Sequence, residues 1–118
     1  MPGQKKRFVI IGGGPAGTAC ATHAARFGAD VTLVEKDIVG GAAHLLDCIP
    51  SKAMLHATEM VHEAEENFGK MGITVPKPKI DWKQMLAYKD ETIEANTKGI
   101  EFLFKKNKID TFQGVGSI

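Results

Sequence analysis

The chain has 118 residues, 43% of them hydrophobic and 25% charged, and its 15 lysine and arginine residues nearly balance 14 aspartate and glutamate residues. That length predicts one domain with a buried core. The formal net charge of +1 excludes a strongly basic surface for nucleic acid or an anionic membrane. Two cysteines do not make a disulfide scaffold, so we expect a protein of the reducing cytoplasm, and no apolar run is long enough to cross a bilayer.

The first part of the chain predicts a strand, a helix and a second strand within residues 7–35. Arg7–Ile11 is a short β-branched run that ends in glycines, which favours a fully buried strand, and Val31–Val34 repeats this pattern. From Pro15 onward, small and apolar residues recur at helical spacing. This order predicts a βαβ unit with two parallel strands and a right-handed crossover. The residues predicted to form the buried face of the helix are Ala16, Ala19, Cys20, His23, Ala24 and Phe27.

The second part predicts a glycine-rich loop, two helices and a last strand. A helix over residues 43–68 keeps one face apolar, and a connector with two prolines follows it. Asp81 and Gln84 form a capping box for a helix over residues 82–107. A strand over residues 109–113 completes the pattern. Residues 1–118 are therefore expected to form an α/β, Rossmann-like dinucleotide-binding unit whose parallel sheet is incomplete.

A glycine-rich motif lies between the first strand and the first helix, where the sequence reads G-x-G-x-x-G. In this pattern Gly12 makes the tight turn, Gly14 lets the backbone approach a pyrophosphate, and Gly17 lets the helix pack closely. The helix N-terminus offers N–H groups and a partial positive charge to the anion. Glu35 ends the second strand at the position of a carboxylate that binds ribose hydroxyl groups. The alternative interpretation is a flexible turn beside an exposed strand end.

The residues from Gly40 to Lys52 read G-G-A-A-H-L-L-D-C-I-P-S-K. This segment resembles the redox segment of the FAD-dependent pyridine nucleotide-disulfide oxidoreductases, whose pattern is G-G-T-C-L-N-V-G-C-I-P-S-K. The later segment Gly99–Gly116 is also similar to members of this family. The resemblance covers essentially the whole chain, but only the opening portion of a family member. The matching residues in the redox segment are Gly40, Gly41, Cys48, Ile49, Pro50, Ser51 and Lys52.

The resemblance implies that the first βαβ unit binds FAD, and that the sheet is incomplete relative to the family's FAD domain. NAD(P)H would bind a later unit that this chain does not encode, and the full-length protein would be a homodimer. Cys48 and Lys52 are implied as catalytic residues that face the flavin. We expect the chain alone to turn over nothing. The implied FAD-binding residues are Gly12, Gly14, Pro15, Ala16, Gly17, Glu35, Lys36, Gly40, Gly41, Ala42, Lys52 and Gly116.

The chain departs from the family pattern at Ala43, where the family has the first of two redox cysteines. Disulfide exchange needs an attacking thiolate and a second thiol that resolves the mixed disulfide. Cys20 is expected on the buried face of the first helix, so Cys48 has no partner in its segment. We therefore predict the FAD-binding part of an NAD(P)H-dependent flavoprotein oxidoreductase that passes electrons to a quinone-like acceptor. The alternatives are a dihydrolipoyl dehydrogenase, which acts on lipoamide, and a non-catalytic FAD-binding module.

Two further residues leave alternatives open. Cys48 is either a reactive thiol beside the flavin or a small buried residue without chemistry. His44 has no counterpart in the family pattern, and a packing or surface role is favoured over an acid or base role near the flavin. The other histidines show no spacing typical of metal ligands, so no metal site is predicted.

Overall fold

The computed structural model describes residues 5–118, so residues 1–4 of the predicted domain lie outside the described part of the chain. The elements, in chain order, are β1 (Arg7–Ile11), α1 (Pro15–Arg26), β2 (Asp30–Glu35), α2 (Ala42–Leu45), α3 (Cys48–Glu66), a 3-10 turn (Gly69–Met71), α4 (Trp82–Lys106) and β3 (Asp110–Gln113).

The three strands form one parallel sheet with β2 in the middle. β1 pairs with β2 from Arg7 opposite Asp30 to Ile11 opposite Val34. β3 pairs with the other edge of β2, where Glu35 lies opposite Gln113. The predicted α/β fold with a parallel βαβ unit is confirmed. Because all strands run in the same direction, the loops that follow β1, β2 and β3 meet at one edge of the sheet.

The hydrophobic core lies where α1 and α4 pack against β2. Val31 and Leu33 of β2 are fully buried, as the alternation of side chains along a strand requires for residues two apart. Phe104 near the end of α4 is also fully buried, and it holds that helix against the sheet. The core cluster comprises Ala21, Val31, Leu33, Phe104 and Ile109.

β1 is not the fully buried strand that its apolar sequence predicts. Phe8 and Val9 are 42% and 65% exposed. β1 pairs with β2 along one edge, and the strands that the structure describes include no partner for its other edge. An apolar run therefore forms an edge strand here, because burial depends on neighbouring elements as well as on the strand's own side chains.

The buried face of α1 also differs from the prediction. Ala21 is fully buried in the core, whereas Cys20 and Phe27 are exposed. The predicted face instead borders an open groove of about 870 Å³ together with Phe8 of β1. The sequence of α1 is rich in alanine on several faces, so periodicity alone did not identify the one that packs against β2. The expected burial of Cys20 is wrong.

The helix predicted over residues 43–68 is two helices. α2 ends at Leu45, and α3 begins at Cys48 after Asp47, whose φ of −111° and ψ of −97° are not helical. Pro50 explains the break. In a continuous helix the Leu46 carbonyl would accept a hydrogen bond from the N–H of residue 50, but proline has no N–H and its ring would clash with that carbonyl. Proline is tolerated within the first turn of α3, so the interruption places Cys48 at the start of a 19-residue helix.

α4 closely matches its predicted range of residues 82–107. Asp81 is its N-cap, and Asp81 Oδ1 accepts a hydrogen bond of 3.1 Å from the Gln84 N–H. The cap stabilises the start of the helix that delivers Phe104 to the core. None of the helices in the described part of the chain has both the length and the apolar character to cross a membrane.

Candidate dinucleotide-binding site

The turn between β1 and α1 requires glycine at two positions. Gly12 has φ +103°, and its N–H donates a hydrogen bond of 2.8 Å to the carbonyl of Val34. A Cβ on Gly17 would lie 1.8 Å from the Gly12 carbonyl oxygen. A side chain at Gly17 is therefore sterically impossible without a backbone shift. The absence of a side chain at Gly17 lets the first turn of α1 rest directly on the loop.

The N-terminus of α1 is open. Gly14 is the N-cap, and in the structure that covers residues 5–118 no side chain caps it and no acidic residue lies in the first turn. Pro15 has no N–H, so the N–H groups of Ala16 and Gly17 are the unpaired donors of this turn. A Cβ on Gly14 would meet no described atom within 4 Å, so the space beside the turn is open. Such an N-terminus favours an anion.

Glu35 is hydrogen-bonded to the glycine turn. Its Oε2 accepts a bond of 2.6 Å from the Gly13 N–H, and its Oε1 accepts a bond of 2.8 Å from the Asp37 N–H. Partial burial on its own would raise the pKa of Glu35. Backbone hydrogen bonds from Asp37, Gly13 and Lys36, together with the Lys36 charge, outweigh burial and lower the pKa below its ordinary value. Glu35 is therefore a fixed, ionised carboxylate beside the turn at neutral pH.

The segment after β2 packs on the same turn. The Gly40 N–H donates a hydrogen bond of 2.7 Å to the Gly13 carbonyl. Gly41 has φ +58°, and a Cβ there would lie 2.8 Å from Gly14 Cα. Ala42, which follows, is the first residue of α2. The predicted site residues at positions 40–42 therefore lie close to the N-terminus of α1.

The segment after β3 reaches this edge as well. The Gly114 N–H donates a hydrogen bond of 2.8 Å to the carbonyl of Glu35. A Cβ on Gly116 would lie 3.0 Å from the side chain of Ile11, at the end of β1. Lys36 follows Glu35 in the sequence. Its Nζ lies 3.9 Å from Oδ2 of Asp37 and forms an exposed ion pair with it. The structure thus brings four predicted parts of the site together: the glycine turn, the end of β2, residues 40–42 and the segment after β3.

Cys48 and Lys52 lie one turn apart at the start of α3. Both residues are exposed. The alternative of a buried core cysteine at position 48 is therefore wrong. The described residues contain no group of three or more histidine, cysteine, aspartate or glutamate side chains that could hold a metal ion.

Gly13 is a site residue that sequence reasoning missed. Its N–H binds Glu35 and its carbonyl accepts from Gly40, so it joins two parts of the site. Gly13 occupies a variable position of the G-x-G-x-x-G pattern, which gives no signal for such a role. The third consecutive glycine in the sequence is the one feature that could have drawn attention to it.

Comparison with known proteins identifies the family. Residues 6–118 match the family model described as pyridine nucleotide-disulphide oxidoreductase. The chain belongs to this family. It is 46% identical over 109 residues to dihydrolipoyl dehydrogenase 1, mitochondrial, of Arabidopsis thaliana. This match covers 92% of the chain and 22% of the Arabidopsis protein. It is 45% identical over 112 residues to dihydrolipoyl dehydrogenase 3 of Pseudomonas putida, covering 93% of the chain and 24% of the relative.

A solved structure supports the fold of this pyridine nucleotide-disulphide oxidoreductase chain. The crystal structure of LpdA from Mycobacterium tuberculosis matches with a TM-score of 0.79 and 29% sequence identity. The match covers 93% of the chain and 24% of LpdA. The chain thus spans about a fifth to a quarter of the length of the relatives it matches.

The predicted family membership is confirmed, and the predicted use of FAD and NAD(P)H agrees with the family. The quinone-like acceptor is not confirmed, and the names of the relatives favour the alternative, dihydrolipoyl dehydrogenase. The roles of the individual site residues, the homodimer and the cytoplasmic location stay predictions.

The close approach at Gly17 leads to a test of the turn. Gly17→Ala is expected to lower the free energy of unfolding by about 1–3 kcal/mol, because the added Cβ would overlap the Gly12 carbonyl. The matched control is Gly99→Ala in α4, where a Cβ would meet no described atom within 4 Å. That control is expected to raise the free energy of unfolding by about 0.5–1 kcal/mol. Urea unfolding measures both, and equal effects of the two substitutions would contradict the packing described here.

The lowered pKa of Glu35 predicts how stability depends on pH. A carboxyl group whose pKa is lower in the folded than in the unfolded chain stabilises the fold above its ordinary pKa. This contribution is lost as the pH falls through the lowered folded-state pKa. We therefore expect the free energy of unfolding to be higher for wild type than for Glu35→Gln. This margin is expected to be largest at neutral pH and to shrink as the pH falls below 4.5, the ordinary pKa of a glutamate.

Urea unfolding of both proteins at a series of pH values measures this margin. Glu59→Gln, on the exposed side of α3, is the matched control, and its series is expected to differ little from wild type. A margin for Glu35→Gln that stays constant across the series would show that the hydrogen bonds from Gly13 and Asp37 do not depend on the charge.

Proposed function

We propose that this chain forms the FAD-binding portion of a flavoprotein oxidoreductase of the dihydrolipoyl dehydrogenase type. The observation that carries the proposal is the joint presence of an open N-terminus of α1 and an ionised Glu35 at the same edge of the sheet. The names of the relatives support it.

The proposed pyrophosphate site is the first turn of α1. The unpaired N–H groups of Ala16 and Gly17 donate to the phosphate oxygens, and the partial positive charge of the helix end adds to the attraction. Gly14 and Pro15 leave the approach open, because neither places a polar side chain over the turn. The residues present therefore fit the diphosphate group of FAD.

The proposed ribose site is the carboxylate of Glu35. Hydrogen bonds from Gly13 and Asp37 fix its position and leave acceptor capacity for the hydroxyl groups of a ribose diol. An ionised carboxylate would repel a phosphate at the 2′ position, which FAD does not carry. Gly40, Gly41 and Gly116 border the same edge and are proposed to contact the dinucleotide through their backbones.

When bound, FAD supplies the electron-transfer chemistry, and the protein supplies binding and orientation. We assign Lys52 to electrostatic stabilisation of negative charge on the flavin, and Cys48 to the side of α3 that faces it. NAD(P)H is proposed to bind a part of a longer protein, so the chain alone is expected to bind FAD without turnover.

A substitution at Ala16 tests the pyrophosphate site without unfolding the protein. Ala16→Asp places a carboxylate in the exposed first turn of α1, where an acidic residue stabilises a helix. Two like charges about 5 Å apart near a protein surface repel by about 3 kcal/mol, which corresponds to about a hundredfold in Kd. We therefore expect fluorescence titration to show at least about a hundredfold weaker FAD binding, with the unfolding free energy unchanged or raised.

The control is Ala95→Asp, which adds the same charge on the exposed surface of α4. It is expected to bind FAD as wild type does. If wild type takes up no FAD, or if both substitutions change the affinity equally, the proposed pyrophosphate site is wrong.

Ala43 favours a second candidate reaction, in which electrons pass to a quinone-like acceptor. Dihydrolipoamide oxidation by disulfide exchange needs two thiols near each other, and Ala43 removes one of them. Cys20 is on α1 in the groove beside Phe8, a different element from the start of α3 that carries Cys48. Electron transfer to a quinone-like acceptor needs no thiol pair, and this absence of a second thiol in the segment is what favours it.

Activity assays of the holoenzyme separate the two candidate reactions. We expect NADH–quinone turnover to exceed NAD-dependent oxidation of dihydrolipoamide. Ala43→Cys is expected to raise dihydrolipoamide turnover by about tenfold or more, because it supplies the missing thiol. Leu45→Cys, which places a thiol at another position of α2, is the matched control. Strong dihydrolipoamide turnover by wild type would instead establish the dihydrolipoyl dehydrogenase reaction and exclude the need for a thiol at position 43.

A further inference from the structure

His44 is buried and joins two helices that are distant in sequence. His44 is 9% exposed, and it is the one buried polar side chain among residues 5–118. His44 Nδ1 lies 3.2 Å from Thr97 Oγ1 of α4, across a separation of 53 residues. This hydrogen bond satisfies a polar atom that would be costly to bury without a partner. The pair therefore ties α2 to α4.

The ring of His44 also supports the loop before α2. A Cβ on Gly40 would lie 2.3–2.6 Å from three atoms of the ring, so the imidazole occupies the space of a side chain at Gly40. Gly40 has φ +106°, a conformation that glycine adopts without strain. The His44 N–H donates a hydrogen bond of 3.1 Å to the carbonyl of Gly41. Both glycines of the loop are thus in contact with His44.

The same loop touches the N-terminus of α1. The Gly40 N–H is bonded to the Gly13 carbonyl at 2.7 Å, and Gly41 leaves no room for a Cβ beside Gly14 Cα. Contacts therefore run without interruption from Thr97 through His44 and the loop to the turn where the pyrophosphate site is proposed. Interiors packed in this way transmit small shifts, because few voids can absorb them.

We propose that His44 and Thr97 are positioning residues for the dinucleotide: their hydrogen bond fixes the Gly40–Gly41 loop against the first turn of α1. This inference rests on the proposed FAD site. His44 acts through the loop and touches no reacting atom, since its ring is buried between Gly40 and Thr97. The position after Ala43 thus serves cofactor placement in this chain.

Removal of the Thr97 hydroxyl tests the proposal. Thr97→Val keeps the branched shape and leaves His44 Nδ1 without its partner. The loss of one hydrogen bond at the loop predicts a Kd for FAD that is about threefold to tenfold higher by fluorescence titration. The circular dichroism of bound flavin is expected to change as well. Thr92→Val is the matched control, because its hydroxyl donates to the Tyr88 carbonyl within α4 and is part of no contact with His44.

A second measurement is independent of FAD. In the chain without added FAD, Thr97→Val is expected to shift the backbone amide signals of Gly40 and Gly41 in a ¹H–¹⁵N correlation spectrum. Thr92→Val is expected to leave these signals in place. A role limited to global stability would lower the unfolding free energy of Thr97→Val but would not move the Kd measured where every variant is folded.

A double-mutant cycle with His44→Leu completes the test. Leucine fills the space of the ring without a polar atom, so His44→Leu is expected to weaken FAD binding as Thr97→Val does, and the double variant no further. If Thr97→Val and Thr92→Val have the same Kd for FAD and the same amide signals for Gly40 and Gly41, the inference is overturned. The proposed function is unaffected by that result as long as wild type binds FAD. If wild type binds no FAD, the proposed function fails, and the glycine signals alone decide whether the pair positions the loop.

Discussion

The site depends on the contact between Gly17 and the carbonyl of Gly12. A Cβ would lie 1.8 Å from that oxygen, so the first turn of α1 can approach the end of β1 only because Gly17 has no side chain. This approach carries the unpaired N–H groups of the helix to the edge of the sheet where β2 also ends. The parallel pairing of β1 with β2 then brings Glu35 to the same place. The proposed anion and ribose sites thus depend on the close approach at Gly17 and on the parallel pairing of β1 with β2.

The donors of the turn are divided between protein and ligand. Gly13 gives its N–H to Glu35, which fixes a negative charge close to a helix end that favours anions. In the proposed site, the unpaired N–H groups of Ala16 and Gly17 are the donors to the phosphate. The carboxylate and the phosphate would otherwise compete for the same positive helix end. The hydrogen bond from Gly13 holds Glu35 before the helix begins, so in the proposed site the carboxylate and the phosphate would use different donors.

The geometry of the glycine turn and the burial of Val31 and Leu33 in β2 could be predicted from the sequence, whereas the exposure of β1 and of Cys20 could not. Gly12 and Gly17 stand at fixed positions of the G-x-G-x-x-G motif. Gly12 has a positive φ, and Gly17 leaves room for the Gly12 carbonyl. β1 is exposed because burial depends on the elements that pack against a strand as well as on its own side chains. The face of α1 that carries Cys20 is exposed because an alanine-rich helix has no single apolar side that fixes its orientation. The break before α3 was predictable in principle, since Pro50 cannot continue a helix from α2. The Thr97 contact joins residues 53 positions apart, which no local pattern reveals.

All four residues of α2 depart from the family pattern, and the two adjacent residues Ala43 and His44 have identifiable consequences. Ala43 removes the thiol that disulfide exchange requires, and His44 introduces a ring that binds Thr97 and supports Gly40. The alanine at position 43 removes the capacity for disulfide exchange from the segment, and the histidine at position 44 adds a contact between α2 and α4. The link from α2 to α4 therefore does not depend on the missing thiol, because it is formed by the His44 imidazole and the Thr97 hydroxyl.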